Sequence, residues 1–321
     1  MSAPGRPDHV RYNPRTPDMP FNPATDAKRV QQTLIALGYL PAGADDGKWG
    51  SGSKRAVRRF KRRAGASVFR VHADTGAAAD ASVAELFKGT VDDDVTDAVL
   101  QEMQKWIGKR WKAPLGRFKL KSGGGTTLRE DVFDAWQKLA TTIKGLGATI
   151  DGPYGDTRRR LAKQTKAGAS SFSFHIVGRA VDLNQSLGGP PNHRYFVAKD
   201  FNSSGNFWRI WCKAVKQDGT QGREFKKDEL EYWSFWGKSA QKAKPGWYID
   251  LTTEVTSGGQ FERIRAHTGW EQNTNKSEWW HFQWVPDKQA TFEDECELVG
   301  ITTQDLKNAG YSEADRDRPP G

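Results

Sequence analysis

Residues 173–182 read Ser-Phe-His-Ile-Val-Gly-Arg-Ala-Val-Asp, and a second stretch, 277–282, reads Ser-Glu-Trp-Trp-His-Phe. On one flat strand His175 and Asp182 would point to opposite faces, because side chains alternate along a strand. Gly178 lies between them and permits a sharp bend that turns both toward one point. His281 then arrives on a second strand from distant sequence. Two neutral imidazoles and one carboxylate leave a position open for water on Zn2+, as in a catalytic rather than a closed structural site. Glu278, three residues before His281, is placed to take a proton from attacking water without binding the ion. The expected fold around these residues is α+β, with a small antiparallel sheet carrying the ligands and helices packed on one side.

Working outward, the chain has 321 residues, enough for about two domains. It is 36% hydrophobic and 27% charged, with 13 Trp, so it can build a core and is not globally disordered. No apolar run approaches the ~18 residues of a membrane-spanning helix. The formal charge of +10 favours a polyanionic partner, whether nucleic acid, anionic lipid or anionic wall polymer. A specific nucleic-acid role is disfavoured by the lack of a groove-reading motif. Cys212 and Cys296 form no CxxC, and two reduced thiols are expected.

The Pro- and Arg-rich residues 1–25 read as a flexible tail. Residues 26–90 read as a small three-helix module. A helix at 26–38 has Asp26 as its cap and Val30, Leu34 and Leu37 on one face. A turn-rich stretch leads to a second helix at 54–64, with Ser53 as cap and Ala56, Val57, Phe60 and Ala64 inward. Its basic residues, Lys54, Arg55, Arg58, Arg59, Lys61, Arg62 and Arg63, are expected on the outer face. There they are either solvated or, through Arg55, Arg58, Arg59 and Arg62, attract anionic wall polymer. A third helix is expected at 81–87. Residues 91–125 read as a helical joint, with Val99, Met103, Trp106 and Ile107 inward, ending in a flexible Gly123-Gly124-Gly125 linker. Thr127 and Glu130 then form a capping box for a helix with Val132, Trp136, Leu139 and Ile143 inward, and 148–150 suggest a strand. The catalytic domain spans 126–321. Within it 185–265 is a long insertion rich in Trp, most of which are expected in the core. His72, His193 and His267 have no motif context and read as structural. In the tail, Thr302 or Thr303 caps a helix with Leu306 inward.

Two resemblances follow. Val30-Gln31-x-x-Leu34-x-x-Leu37-Gly38-Tyr39, then Asp46-Gly47-x-x-Gly50, then Ala56-Val57-x-x-Phe60 resembles the peptidoglycan-binding module of bacterial and phage wall hydrolases, over about 65 residues. The S-x-H-x-x-G-x-A-x-D and E-x-W-H motifs resemble those of the D-Ala-D-Ala carboxypeptidases, D-Ala-D-Ala dipeptidases and L-Ala-D-Glu endopeptidases, and Glu278-Trp279-Trp280-His281-Phe282 is closest to the dipeptidase branch. By position this resemblance makes His175, Asp182 and His281 the ligands of one Zn2+ per chain and Glu278 the general base. It also implies an upstream arginine that holds the substrate carbonyl oxygen. Counting back from Gln164 selects Arg159, with Arg158 as the alternative, since the family's tyrosine is missing here. Ser173 is expected to support the site by hydrogen bonding.

Both resemblances point to peptidoglycan. The expected activity is hydrolysis of stem peptides or cross-links. The alternatives are an inactive wall-binding protein and an enzyme that acts on D-Ala-D-Ala precursors rather than sacculi. The N-terminus shows no secretory signal. That predicts delivery to the wall or periplasm either as a phage endolysin through a lysis pore or as an antibacterial effector of a contractile secretion system, in which case an immunity protein is a partner.

Overall fold

The computed structural model describes residues 22–65, 94–108, 116, 118–150, 152, 154–162, 172–190, 193–201, 203, 206–234, 239–285 and 291–318. Residues 1–21 of the expected tail, the helix at 81–87, His72, Gln164 and Trp236 lie outside the described residues, whereas 23–25, also expected in the tail, already belong to the first helix. The chain forms two compact units, Met1–Pro114 and Leu115–Gly321. Among the described residues are eight α-helices and three antiparallel sheets, an α+β mixture with its first helices at the N-terminus. No helix among them is long and apolar enough to cross a membrane.

The first unit is helical. α1 (Pro23–Ala36) and α2 (Ser51–Gly65) turn Val30 and Leu34 toward Ala56, Val57, Phe60 and Ala64, as their spacing predicts. Two such short helices cannot close around a ring as large as Phe60. α3 (Asp97–Gly108) supplies Val99, Leu100, Met103 and Trp106 to the same core, and Trp106 meets Phe60 edge-on at 5.4 Å between centroids. The expected joint at 91–125 is therefore not one element, because its helix belongs to the first core.

Gln31 fixes the shape of the turn between α1 and α2. Its buried amide donates to Asp46 Oδ1 at 3.0 Å and Ser53 Oγ at 3.0 Å, and accepts from the Gly47 N–H at 2.9 Å. Ser53 is thus inside α2, which begins at Ser51, and does not cap it. Asp26 lies inside the first turn of α1 and accepts from the Asn22 N–H at 3.0 Å. The basic residues of α2 also depart from expectation. Arg59, Lys61 and Arg62 are buried, and Arg55 and Arg58 are half-buried, so α2 does not present a solvated basic face. Long aliphatic stems can be covered where charge alone predicts exposure.

The second unit begins with a hairpin, β1 (Leu120–Gly123) and β2 (Thr126–Arg129). Gly124 and Gly125 form its two-residue turn with φ of 58° and 82°. Positive φ at both central positions is the type I′ geometry that matches strand twist, so the glycine run is a tight turn and not a flexible linker. Thr127 lies in β2 and caps nothing. α4 (Glu130–Gly145) starts after Arg129 without a side-chain cap, while Glu130 and Asp131 place negative charge at its N-terminus. It buries Val132, Phe133, Trp136, Ala140 and Ile143, and Leu139 is half-buried. Residues 148–150 are irregular rather than a strand, though Ala148 and Ile150 are buried.

The remaining strands are β3 (Ala180–Asp182), β4 (Tyr195–Lys199), β5 (Trp208–Lys213), β6 (Arg223–Phe225), β7 (Glu231–Trp233), β8 (Ala240–Lys242), β9 (Gly246–Asp250), β10 (Phe261–Arg263) and β11 (His281–Trp284). They make a three-stranded sheet ordered β10-β11-β3 and a six-stranded sheet ordered β6-β9-β5-β4-β7-β8. The expected insertion is thus the six-stranded sheet. Trp208 and Trp233 are core there, and Trp211 and Trp247 are half-buried. α5 (Leu251–Thr256) leads into β10, and the chain finishes in α6 (Phe292–Leu298), α7 (Thr303–Asn308) and α8 (Glu313–Arg316). Thr302 caps α7 in a capping box with Asp305, with Leu306 buried. Both cysteines are free and buried.

Candidate metal centre

The site is built by one bend and two paired strands. Residues 174–178 turn sharply, and Gly178 adopts φ of 67°. A Cβ there would lie 2.5 Å from the Arg129 backbone nitrogen, whose N–H donates to the Gly178 carbonyl at 2.9 Å. Both the left-handed backbone and this close approach to β2 require glycine. After the bend, β3 runs antiparallel to β11 with Asp182 directly opposite His281. Alternation then separates the two faces. Val181 and Phe282 enter the main core, while Asp182 and His281 lie on the other face.

Three donor atoms converge on that face. His175 Nε2 is 3.2 Å from Asp182 Oδ1 and 3.3 Å from His281 Nδ1, and His281 Nδ1 is 2.9 Å from Asp182 Oδ1. Donors bound tetrahedrally to Zn2+ at ~2.0–2.2 Å sit about 3.3–3.6 Å apart, so these separations suit a single small ion after little adjustment. Two imidazoles and one carboxylate are a donor set able to hold a divalent transition-metal ion. His175 and Asp182 are buried, and the His281 side chain is 12% exposed. Burial alone would raise the Asp182 carboxyl, but hydrogen bonds and charge from His175 and His281 prevail and hold it at about 2. The group is therefore a carboxylate throughout the neutral range.

The surrounding residues sort clearly. Arg159 is anchored by Asp156, with Nη2 2.7 Å from its carboxylate, and the same nitrogen is 4.0 Å from Asp182 Oδ2. Its backbone N–H donates to the His175 carbonyl at 3.2 Å, so it is stitched to the bend. Arg158 turns the other way. It is half-buried near Cys296, and burial lowers its guanidinium below the ordinary value. Of the two arginines, the structure brings Arg159 to the ligands. The Ser173 carbonyl accepts from the Ile176 N–H at 3.0 Å and helps close the bend.

Glu278 occupies a left-handed position, φ 47°, at the turn into β11, and its carbonyl accepts from the His281 N–H at 2.9 Å. A non-glycine residue with that backbone is a local strain of the kind found at functional sites. Its side chain is 43% exposed and lies 3.9 Å from Nε2 of His267. His267 reads as structural in sequence yet is exposed beside Glu278; its N–H donates to the Lys276 carbonyl at 2.8 Å and its carbonyl accepts from Asn206 Nδ2 at 2.9 Å. His193, by contrast, stacks on Phe196 as a packing residue.

The C-terminal helices brace the bend from behind. Phe174, Ile176 and Val177 pack with Phe292, Cys296, Leu306 and Tyr311 in a separate apolar cluster. Across it, buried Glu295 receives Arg129 at 2.7 Å and Arg179 at 2.5 Å, and Arg179 also donates to the Trp284 carbonyl at 2.7 Å. This network ties β2, the bend, β11 and α6 together. Removing one member of such a buried network would leave uncompensated charge.

Residues 23–68 match the family described as "Putative peptidoglycan binding domain". Neither the comparison with curated proteins nor that with solved structures found a match. The match covers α1, the Gln31-clamped turn and α2. It supports peptidoglycan as a partner of the chain and association with the cell wall.

Proposed function

We propose that the second unit is a zinc-dependent peptidase that hydrolyses peptidoglycan stem peptides or cross-links, with the first unit holding it at its insoluble substrate. The observation that carries this reading is the convergence of His175 Nε2, Asp182 Oδ1 and His281 Nδ1 on one point. These three atoms would hold the ion, which when bound supplies Lewis acidity toward a water and a peptide carbonyl. Glu278 takes the proton of the attacking water on its carboxylate and passes it to the leaving amine. Its exposure keeps it accessible to water and substrate. Arg159, anchored by Asp156 and close to Asp182, offers a guanidinium to the carbonyl oxygen as it gains negative charge. The second shell of apolar packing behind the bend keeps the donor atoms from relaxing apart.

The decisive experiment combines metal analysis with product analysis. Purified protein should carry about one zinc per chain, and digestion of purified sacculi should release peptides whose masses identify the cleaved bond. Absence of zinc uptake, or intact sacculi after prolonged incubation with zinc-loaded protein, would sink the reading. Deletion of residues 1–114, the whole first unit including α3, should leave cleavage of a soluble stem peptide within about twofold while lowering cleavage of sacculi, because tethering raises local enzyme concentration.

A further inference from the structure

Resting on that reading, we propose that Gln283 and Glu262 are positioning residues that set which nitrogen of His281 is available to the ion. The alternation of β11 places Gln283 on the same face as His281, two residues on. On the far side, Glu262 of β10 is directly opposite Gln283 in the antiparallel register. The contacts run in one line across the sheet. Gln283 Nε2 donates to Glu262 Oε1 at 2.8 Å, and Gln283 Oε1 faces His281 Nε2 at 3.4 Å, a long hydrogen bond.

The chemistry follows from which ends are used. His281 Nδ1 faces the other two donors, 2.9 Å from Asp182 Oδ1, so this nitrogen must present its lone pair to an ion. A neutral imidazole then carries its one proton on Nε2. That proton needs an acceptor, and the side chain provided is an amide, which has one accepting end and one donating end of nearly the same shape. What decides the orientation is Glu262. Its carboxylate accepts only, so it takes the amide N–H and leaves the carbonyl oxygen aimed at His281. Gln283 is buried, so water does not substitute readily for either contact. A flipped amide would donate toward Nε2, favour the proton on Nδ1 and block the ligand position. Outer partners of metal-bound histidines act through this kind of orientation, and their loss typically costs about 10–100-fold in metal affinity or activity.

The test is zinc affinity of the full-length protein, measured by competition with a chromophoric chelator, with the metal-free thermal midpoint recorded beside it. Gln283→Leu should weaken zinc binding about 10–100-fold while the metal-free protein still folds. Glu262→Leu, on an edge strand, should give a smaller loss in the same direction by freeing the amide to flip. If Gln283→Leu fails to fold, Glu262→Leu carries the test alone. The exchange of the pair, Glu262→Gln with Gln283→Glu, keeps an acceptor toward His281 and a donor toward that acceptor, and should recover most of the affinity. A role in packing alone predicts that any loss of affinity in the Leu variants tracks a lowered metal-free thermal midpoint. Unchanged affinity in both Leu variants, or an exchanged pair no better than Gln283→Leu, would overturn the inference while leaving the zinc reading intact. Wild-type protein that takes up no zinc would instead overturn that reading, and this inference with it.

Discussion

The two larger sheets of the second unit handle polarity in opposite ways. The central strand β4 of the six-stranded sheet is apolar on both faces. Along β4, Tyr195 and Val197 enter the main core while Phe196 and Ala198 join a second cluster with Phe225, Tyr232 and Tyr248. The three-stranded sheet is apolar on one face only, and its other face carries Asp182, His281, Gln283 and Glu262. Burying carboxylates and imidazoles is costly unless they are paired, and here each has a partner on a neighbouring strand or on the bend. The middle of the larger sheet therefore reads as scaffold, while buried charge sits on the polar face of the smaller sheet and at Asp200, just past β4, where Arg209 and Arg263 pair with it.

That contrast is open to test, and the largest effect should come from the small sheet's own ligand set. His175→Ala should abolish both zinc retention and peptide hydrolysis, because one of three donors is lost and the Asp182 carboxylate loses a partner. Retention of stoichiometric zinc in this variant would break the assignment of the polar face. Glu278→Ala should follow, keeping zinc and fold but cutting turnover by about 10²–10⁴-fold. A near-wild-type rate on a soluble peptide would remove Glu278 from the chemistry and turn attention to His267 beside it. Arg159→Ala should lower turnover by about 10²–10³-fold if the guanidinium meets the developing oxyanion, whereas Arg158→Ala should change it only a few-fold. Equal losses in the two variants would show that proximity to Asp182 is not what matters. The least effect on chemistry should come from the large sheet. Phe196→Ala should destabilise the fold by about 3–5 kcal/mol, read as a lowered thermal midpoint, with zinc content and turnover per folded chain unchanged. Loss of zinc in folded Phe196→Ala would mean that the two sheets are not separable in the way their faces suggest.

Several features were legible in the primary sequence because they depend on neighbours in the chain. The helical periodicity of Val30, Leu34, Ala56, Val57 and Phe60 is local, and so are the Asp46-Gly47 turn and the capping role of Thr302. The trio that converges was readable for a related reason: His175 and Gly178 lie in one bend with Asp182 on the strand that follows it, and His281 has a distinctive sequence context. Other expectations went astray where long-range packing outweighed local pattern. Gly124 and Gly125 looked like a linker because composition does not reveal that two extended segments pair across them. Thr127 looked like a cap until β2 claimed it, and Arg59 and Arg62 looked solvated because charge is a poor guide to where an aliphatic stem lies.

By itself, then, the sequence determined the helical first module, the bend at Gly178 and the identity of three converging donors, since each rests on residue type and short spacing. Only the tertiary structure decided that residues 195–250 form a six-stranded sheet, that α3 completes the first core, that Arg159 rather than Arg158 reaches Asp182, and that Gln283 and Glu262 stand in line with His281. The physical reason is common to all four. Strand register and helix docking bring together residues far apart in the chain, and the burial and hydrogen bonding that select one arrangement exist only once the chain has closed on itself.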